Sequence, residues 1–346
     1  MSLVGWLRPL VGLALAGLAA LPTGAFACTV TDKVAMNAGP FSPAAVAASP
    51  GVLPQIAGSA GFACNTSVLV LLGGNYIRGT FSSANGMKLK NGVNVLSYTA
   101  AADSGGTVPL TSGTTIDYMQ NNLLNLLGLL GGSNAALPLY VKPGIAAGLP
   151  YGDYIDKITI AWDWRICSVA YVAGACLGSL DKGTGSTEIT VKVTIGAQDM
   201  TIALSSVTTW DPVNGTSRPM ALPGSKGRTG LTVRNPDLVP LDGGSIALVY
   251  KVPAKTSVAL DGDGTSSPTI MGFSDGSPAS GTTFSYVAGS AIDDVEFSSD
   301  NGASWTYSPT PGNRASEAMV THLRFRPKGA MKAGSSFTLS FPYLVR

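Results

Sequence analysis

The stretch Gly148-Leu149-Pro150-Tyr151-Gly152-Asp153-Tyr154-Ile155-Asp156-Lys157-Ile158-Thr159-Ile160-Ala161-Trp162-Asp163-Trp164-Arg165-Ile166-Cys167 decides the reading of this chain. It opens on glycines and a proline, which tolerate or preset the backbone angles of a turn. It then alternates. Ile158, Ile160, Trp162 and Trp164 fall on one side, and Lys157, Thr159, Asp163 and Arg165 on the other. A period of two in β-branched and aromatic residues marks a strand with one buried face. The strand ends in a cysteine, and Cys176 follows nine residues later. Together these features predict a β-sandwich built for an oxidising compartment.

The beginning of the chain agrees with export. Arg8 supplies a positive n-region, Leu10 to Leu21 an apolar h-region, and Ala25-Phe26-Ala27 a small-residue cleavage site. Residues 1–27 are therefore expected to be a cleaved signal peptide, too short in its apolar run for a membrane span. Cys28 as first mature residue invites a lipoprotein reading. Ala25, three positions before it, makes a poor lipobox, and acylation would leave an odd cysteine.

Some 320 residues remain, enough for two domains with separate cores. Charged residues make up 12% of the chain, against 43 glycines and 22 prolines, a balance that favours short strands and frequent turns over helices. The net charge of +2 comes without any Lys/Arg run, so no nucleic-acid stripe is expected. The four cysteines, Cys28, Cys64, Cys167 and Cys176, read as two disulfides rather than a metal site, because no CxxC spacing occurs and histidine is nearly absent. Three pairings are open. Cys28–Cys64 with Cys167–Cys176 is favoured, since each bond then ties neighbouring strands.

The first domain is expected over 28–197 as a sandwich of about seven strands. Its strand candidates are Ser67 to Leu72, Val93 to Thr99, Leu137 to Val141, the opening stretch, and Thr187 to Ile195. An insertion, Met119-Gln120-Asn121-Asn122-Leu123-Leu124-Asn125-Leu126-Leu127-Gly128-Leu129-Leu130, suits a short amphipathic helix with a widened apolar face. It reads either as a cap on the sandwich core or as an exposed apolar surface that makes contacts.

Several motifs of this domain carry a resemblance. They are Cys28-Thr29-Val30, Gly61-Phe62-Ala63-Cys64, Asn94-Val95-Leu96-Ser97-Tyr98 with Ala101-Ala102-Asp103, Leu139-Tyr140-Val141, and Gly152-Asp153-Tyr154-Ile155-Asp156-Lys157-Ile158-Thr159-Ile160. In this pattern the domain resembles the spore coat U family, which includes secreted subunits of archaic (Csu-type) chaperone–usher pili. The longer ending, Trp162 to Cys167 through Cys176-Leu177-Gly178, is similar to its tip-like members. The resemblance implies other pilus subunits, a periplasmic chaperone and an outer-membrane usher as partners, and a place at the cell surface of a Gram-negative bacterium. Shaft subunits of such pili donate an N-terminal strand to a neighbour. Here Cys28 follows the expected cleavage site directly, so the resemblance implies a terminal, adhesive subunit, with Leu123, Leu124, Leu126, Leu127, Leu129 and Leu130 as its candidate contact loop.

The second domain is expected over 198–346, again as an antiparallel, immunoglobulin-like sandwich, giving an all-β chain overall. Its strand candidates are Arg228 to Asn235, Gly244 to Tyr250, Val295 to Tyr307, Val320 to Phe325 and Ser336 to Phe341. In Asp211-Pro212-Val213-Asn214-Gly215, Leu222-Pro223-Gly224 and Ser299-Asp300-Asn301-Gly302-Ala303-Ser304-Trp305 it resembles the conserved-repeat sandwich domains of bacterial surface proteins. A terminal pilus subunit would have to accept a donor strand here. Ser336 to Val345 nevertheless reads as a complete final strand, and the sequence does not resolve that conflict.

Catalysis is not expected. His322 is the single histidine, so neither a Ser–His–Asp nor a Cys–His set can be assembled. No phosphate-binding glycine pattern occurs in a strand-to-helix setting, and no cofactor is expected. Asp261 and Asp263 are weak calcium candidates in Asp261-Gly262-Asp263-Gly264, where an EF-hand would need a glutamate at the twelfth position that is missing. Trp162, Trp164 and Trp210 could form a carbohydrate platform, although core packing suits alternating strand tryptophans better. Beside the pilus reading stands a second one, a non-polymerising secreted binding module for glycan or calcium.

Overall fold

The computed structural model describes residues 28–64, 74–120, 135–167, 171–267 and 269–346. The expected signal peptide, the Ser67 to Leu72 strand candidate and the leucines of the insertion lie outside the described residues. The chain is all-β, and its described strands fall into two groups with separate cores.

The first group comprises β1 (Thr29–Val30), β2 (Lys33–Phe41), β3 (Ile56–Cys64), β4 (Tyr76–Ser83), β5 (Lys88–Asn91), β6 (Asn94–Ala101), β7 (Pro109–Leu110), β8 (Thr115–Asp117), β9 (Ala135–Pro143), β10 (Gly152–Cys167), β11 (Tyr171–Val172), β12 (Ala175–Cys176) and β13 (Leu180–Ile195), with one short helix, α1 (Pro43–Ala47). The long strand β10 is its backbone. It pairs with β13 from Gly152↔Ile195 to Cys167↔Leu180, and with β4 from Ile158↔Ser83 to Arg165↔Tyr76. β6 joins two layers: Asn94 to Ser97 pair with β5 beside β10, and Tyr98 to Ala101 pair with β9 in the facing layer of β1, β3 and β9.

The alternation of β10 is realised as its sequence predicts. Ile158, Ile160, Trp162 and Trp164 are buried, and across the layer they meet Phe62, Leu139 and Val141. Phe62 lies 4.8 Å from the Trp162 ring and 5.4 Å from that of Trp164, contacts worth about 0.5–1.5 kcal/mol each beyond simple burial. Gly61 makes this approach possible. Its φ of +82° sits in a bulge of β3, and a Cβ there would come within 2.3 Å of the Thr187 side chain. The Thr187 hydroxyl occupies that space, accepting from Trp162 Nε1 at 3.1 Å and donating to the Gly61 carbonyl at 3.4 Å.

Two features were not visible in the sequence pattern. β2 has Ala35, Ala38, Gly39 and Pro40 among its nine residues, yet it forms a full strand and pairs in parallel with β13 from Glu188↔Lys33 to Ile195↔Phe41. This is the single parallel pairing among the described strands, and it covers the outer edge of β13. β13 itself starts at Leu180, seven residues ahead of its apolar run, because β10 supplies a partner for each backbone group there.

The second group comprises β14 (Thr201–Trp210), β15 (Lys226–Arg234), β16 (Leu248–Lys251), β17 (Thr256–Val258), β18 (Gly272–Asp275), β19 (Val295–Ser298), β20 (His322–Phe325) and β21 (Ser336–Val345), with a second short helix, α2 (Arg314–Ala318). One sheet runs β14-β15-β21-β17, with β18 also on β21, and the facing sheet runs β16-β20-β19. Leu231, Val233, Phe337, Leu339 and Phe341 of the first sheet pack on Leu248, Leu323, Phe325 and Phe297 of the second. β15 starts at Lys226, two residues ahead of the Arg228 expected from the sequence. Gly227 allows this, since Tyr343 folds over it so closely that a Cβ would lie 2.5 Å from the tyrosine hydroxyl.

Candidate functional site

Two regions of the fold can meet other molecules. The first is the end of the first sandwich at which β10 finishes. Cys64 at the end of β3 pairs with Ala135 at the start of β9, Tyr76 at the start of β4 pairs with Arg165, and Cys167 pairs with Leu180. β8 runs along β4 toward the same end, with Tyr118 N donating to Ile77 O. The described residues on either side of segments 65–73, 121–134 and 168–170 thus meet at this one end. The leucines of the insertion belong to the second of them.

These roots are tied tightly. The disulfides are Cys28–Cys64 and Cys167–Cys176, with Cα–Cα distances of 4.1 and 5.6 Å, as favoured from the sequence. The Asn75 side chain holds the backbone of Cys167 from both sides, accepting from its N at 2.8 Å and donating to its O at 3.3 Å. Asp181 joins the N-terminus to the core strand. Its Oδ2 accepts from Cys28 N at 2.8 Å, and its Oδ1 accepts from Trp164 Nε1 at 2.9 Å. On the outer surface, the Arg165 guanidinium lies between the rings of Tyr76 and Tyr171, 5.0 and 4.8 Å from their centroids, and donates twice to the Gly74 carbonyl. At this end Val172, Leu177 and Leu180 stand exposed, at 54%, 63% and 44%.

The second region is a groove in the second sandwich. Four strand widths, β14-β15-β21-β17, face only three, β16-β20-β19, so among the described residues one apolar flank has no strand over it. Ile202 and Leu204 of β14 sit opposite Val233 and Leu231, on the face that is buried everywhere else in the sheet, yet they are 56% and 63% exposed. Beside them runs the edge of β16, which among the described strands pairs with β20 alone. The groove between holds about 340 Å³ and is lined by Leu204, Thr229, Tyr250, Val252, Val258 and Phe341, among others. Tyr250 and Phe341 form its floor as an edge-to-face pair at 4.9 Å. The final strand, β21, is paired along both edges, by β15 on one side and by β17 and β18 on the other. The final strand is therefore complete, as Ser336 to Val345 read in the sequence, and β16 has a described partner on one edge only. β14 escaped sequence reading because Ile202, Leu204 and Val207 do not keep a period of two.

The remaining candidates take other places. Asp261 pairs with Lys226 at 2.8 Å, and Asp263 pairs with Arg228 at 2.8 Å and accepts from the Thr265 hydroxyl at 2.6 Å. Burial works to raise the Asp263 pKa, but Arg228 and Thr265 outweigh it and hold the carboxyl below its ordinary value. Both carboxylates thus serve as counter-ions to β15, and no group of three or more metal-ligating side chains occurs among the described residues. Trp162 and Trp164 are core residues, whereas Trp210 is half-buried and lies against Gly264. His322 sits on the outer face of β20, with Nδ1 3.3 Å from the Thr321 hydroxyl. No helix among the described residues is long and apolar enough to cross a membrane.

Comparison with known proteins bears on the first domain. The model of the Spore Coat Protein U domain matches residues 14–161, within the first half of this chain. The match stops just before Trp162 and leaves out the Trp162 to Cys176 ending. Spore coat U domains are associated with subunits of chaperone–usher pili and with exported surface proteins. No curated protein matches the chain. Among solved structures, the C-terminal domain of the Streptococcus pyogenes antigen I/II-family protein AspA is 9% identical, with 92% of this chain and 90% of that chain covered and a TM-score of 0.23. A structure described as BspA_C_mut is 7% identical, with 85% and 84% covered and a TM-score of 0.20. Likeness at that level carries no argument.

Proposed function

We propose that this chain is a non-enzymatic, exported terminal subunit of an archaic chaperone–usher pilus, in which the second sandwich accepts a donor strand and the first makes the adhesive contact. The observation that carries this reading is the uncovered flank of the second sandwich. Ile202 and Leu204 lie in a core-facing row with no strand above them, next to a β16 edge that offers unpaired backbone groups. An extended segment from another subunit, apolar at alternate positions, would pair with β16 and cover both side chains. The first sandwich has no such vacancy at β13, because β2 already occupies that edge. The exposed Val172, Leu177 and Leu180 support an apolar contact at its far end, to which the insertion with Leu123 to Leu130 would add.

The test is thermal unfolding of the purified chain with and without a synthetic peptide copying the N-terminal extension of a pilin encoded beside it. A clear rise in Tm is expected, and its loss in Leu204→Asp, whose exposed side chain leaves basal stability unchanged. An unmoved Tm ends the donor-strand reading. Deleting Leu123 to Leu130 is expected to abolish attachment to hydrophobic surfaces while leaving the unfolding transition in place.

A further inference from the structure

The second sandwich has another concave site, at the opposite edge of the β16-β20-β19 sheet. A cleft of about 380 Å³ opens there between the loop Tyr286 to Ala291 and the segment Trp305 to Pro309, with β19 as its floor. That volume falls at the small end of the roughly 300–1,000 Å³ usual for ligand pockets. Both walls are preformed. Tyr307 meets β19 through a single bridge to Phe297, and its hydroxyl is pinned on Ser316 O at 2.9 Å and Ser316 Oγ at 3.0 Å. On the other side, Asp294 Oδ2 accepts from Ser285 N at 2.7 Å and Asp293 Oδ2 from Val287 N at 2.8 Å.

The chemistry of the lining is mixed in a particular way. Trp305 is half-buried, and the Arg324 guanidinium rests 4.4 Å from the centre of its ring. Glu296 Oε2 accepts from Arg324 Nε, and its Oε1 bonds no described residue. Neither the Trp305 Nε1–H nor the Tyr286 hydroxyl bonds any described residue, although both belong to residues that line the cleft. Burial, then the charges of Asp293 and Glu317, push the Tyr286 phenol up to about 12, so it stays protonated and can donate.

An aromatic face with one carboxylate oxygen and two unfilled donors suits a molecule with an apolar C–H face rimmed by hydroxyls. A flat apolar ligand would leave the three polar groups without partners, at a cost. An anion would meet Glu296 and Asp293. An extended peptide would need a free backbone edge on β19, and Tyr307 N already takes the Phe297 carbonyl. We propose that the cleft between Tyr286 and Trp305 binds a neutral pyranose of an extracellular glycan, with Trp305 stacking on the sugar ring and Glu296 and Tyr286 bonding its hydroxyls. This site is separate from the donor-strand groove and does not depend on the pilus reading.

The experiment titrates the full chain with three tetrasaccharides, β-linked glucose, N-acetylglucosamine and galactose, followed by saturation-transfer NMR and intrinsic fluorescence. Saturable binding of at least one is expected, with a Kd between micromolar and millimolar. Trp305→Ala and Glu296→Gln should each weaken it about tenfold or more, and Tyr286→Phe, which removes only a hydroxyl, should weaken it several-fold at unchanged Tm. No saturation by any of the three at about 10 mM overturns the proposal. So does binding that survives all three substitutions, or binding of an alternating apolar peptide that competes with the sugar.

Discussion

The phenolic hydroxyl of Tyr98 donates to Oδ2 of Asp156 at 2.7 Å, inside the first sandwich, where both residues are almost wholly buried. The two lie 58 residues apart, in two of the motifs by which the spore coat U pattern is recognised. Asp156 also accepts from the Ser83 hydroxyl at 2.6 Å, from Asn85 N at 3.0 Å and from Lys157 N at 2.8 Å. Four donors saturate a carboxylate that would otherwise be very costly to bury. Burial, helped by this hydrogen bond, pushes the Tyr98 phenol well above its ordinary value. The network joins β6, β10 and the β4–β5 turn, so it locks the strand that crosses between layers. Tyr98→Phe should lower stability by about 1.5–3 kcal/mol, the range for hydrogen bonds to charged groups. Urea unfolding monitored by circular dichroism measures it.

Asp211 plays a comparable part at the start of the second domain. Its carboxylate accepts from Asn214 N at 2.6 Å, Met220 N at 2.6 Å, Val213 N at 2.7 Å and the Asn214 side chain at 3.1 Å, closing the loop after β14. The Asn214 backbone donor lowers its pKa most, burial opposes this, and the other donors help to hold it at about 2. A carboxyl with a depressed folded pKa contributes stability that is present above its unfolded value, near 3.8, and lost as pH falls through about 2. Asp211→Asn should therefore have a lower Tm than wild type at neutral pH, and the gap should narrow between about pH 4 and pH 2. A gap that is constant across that window would assign the carboxylate no such role.

Asp181 makes processing of the N-terminus consequential. Cleavage before Cys28 would turn the group 2.8 Å from Asp181 Oδ2 into an α-ammonium, and the hydrogen bond into a half-buried ion pair. Asp181→Asn is expected to destabilise the processed chain more than a chain extended by a few residues before Cys28. Parallel melting curves of the four proteins test it, and equal losses in both backgrounds would count against it.

The two disulfides close loops of different length, with sequence separations of 36 and 9. On the chain-entropy account, removing the first should cost about 4 kcal/mol and the second a little under 3. Cys28→Ser with Cys64→Ser, and Cys167→Ser with Cys176→Ser, measured by denaturant unfolding, should rank in that order.

What the sequence disclosed followed from periodicity and from cysteine arithmetic. The face of β10 was legible because Ile158, Ile160, Trp162 and Trp164 alternate without interruption, and the pairing of the cysteines because each bond joins neighbouring strands. β2 was not legible, since Ala35, Ala38, Gly39 and Pro40 carry little apolar signal and its order comes from pairing with β13. The first half of β13, Asp181 to Ser186, was hidden for the same reason. In the second domain, the groove depends on how many strands each sheet contains and on where β21 sits, both of which are facts of long-range pairing. The Trp305 cleft combines two loops with strand β19; the stretch Val295 to Tyr307 was singled out as a strand, but the Tyr286 to Ala291 wall that faces it was not, because it carries no strand pattern.

The long ladder between β10 and β13 has a mechanical meaning. β13 leaves the first sandwich at Ile195, and the end that carries Val172 and Leu177 lies at its other extremity, beyond Leu180. A chain held by that end and hauled through Ile195 is pulled along the axis of β13. Because both points lie on one strand, the tension runs through the covalent backbone from Leu180 to Ile195, and the ladders to β10 and β2 are built around a strand that is already extended and has no slack to give.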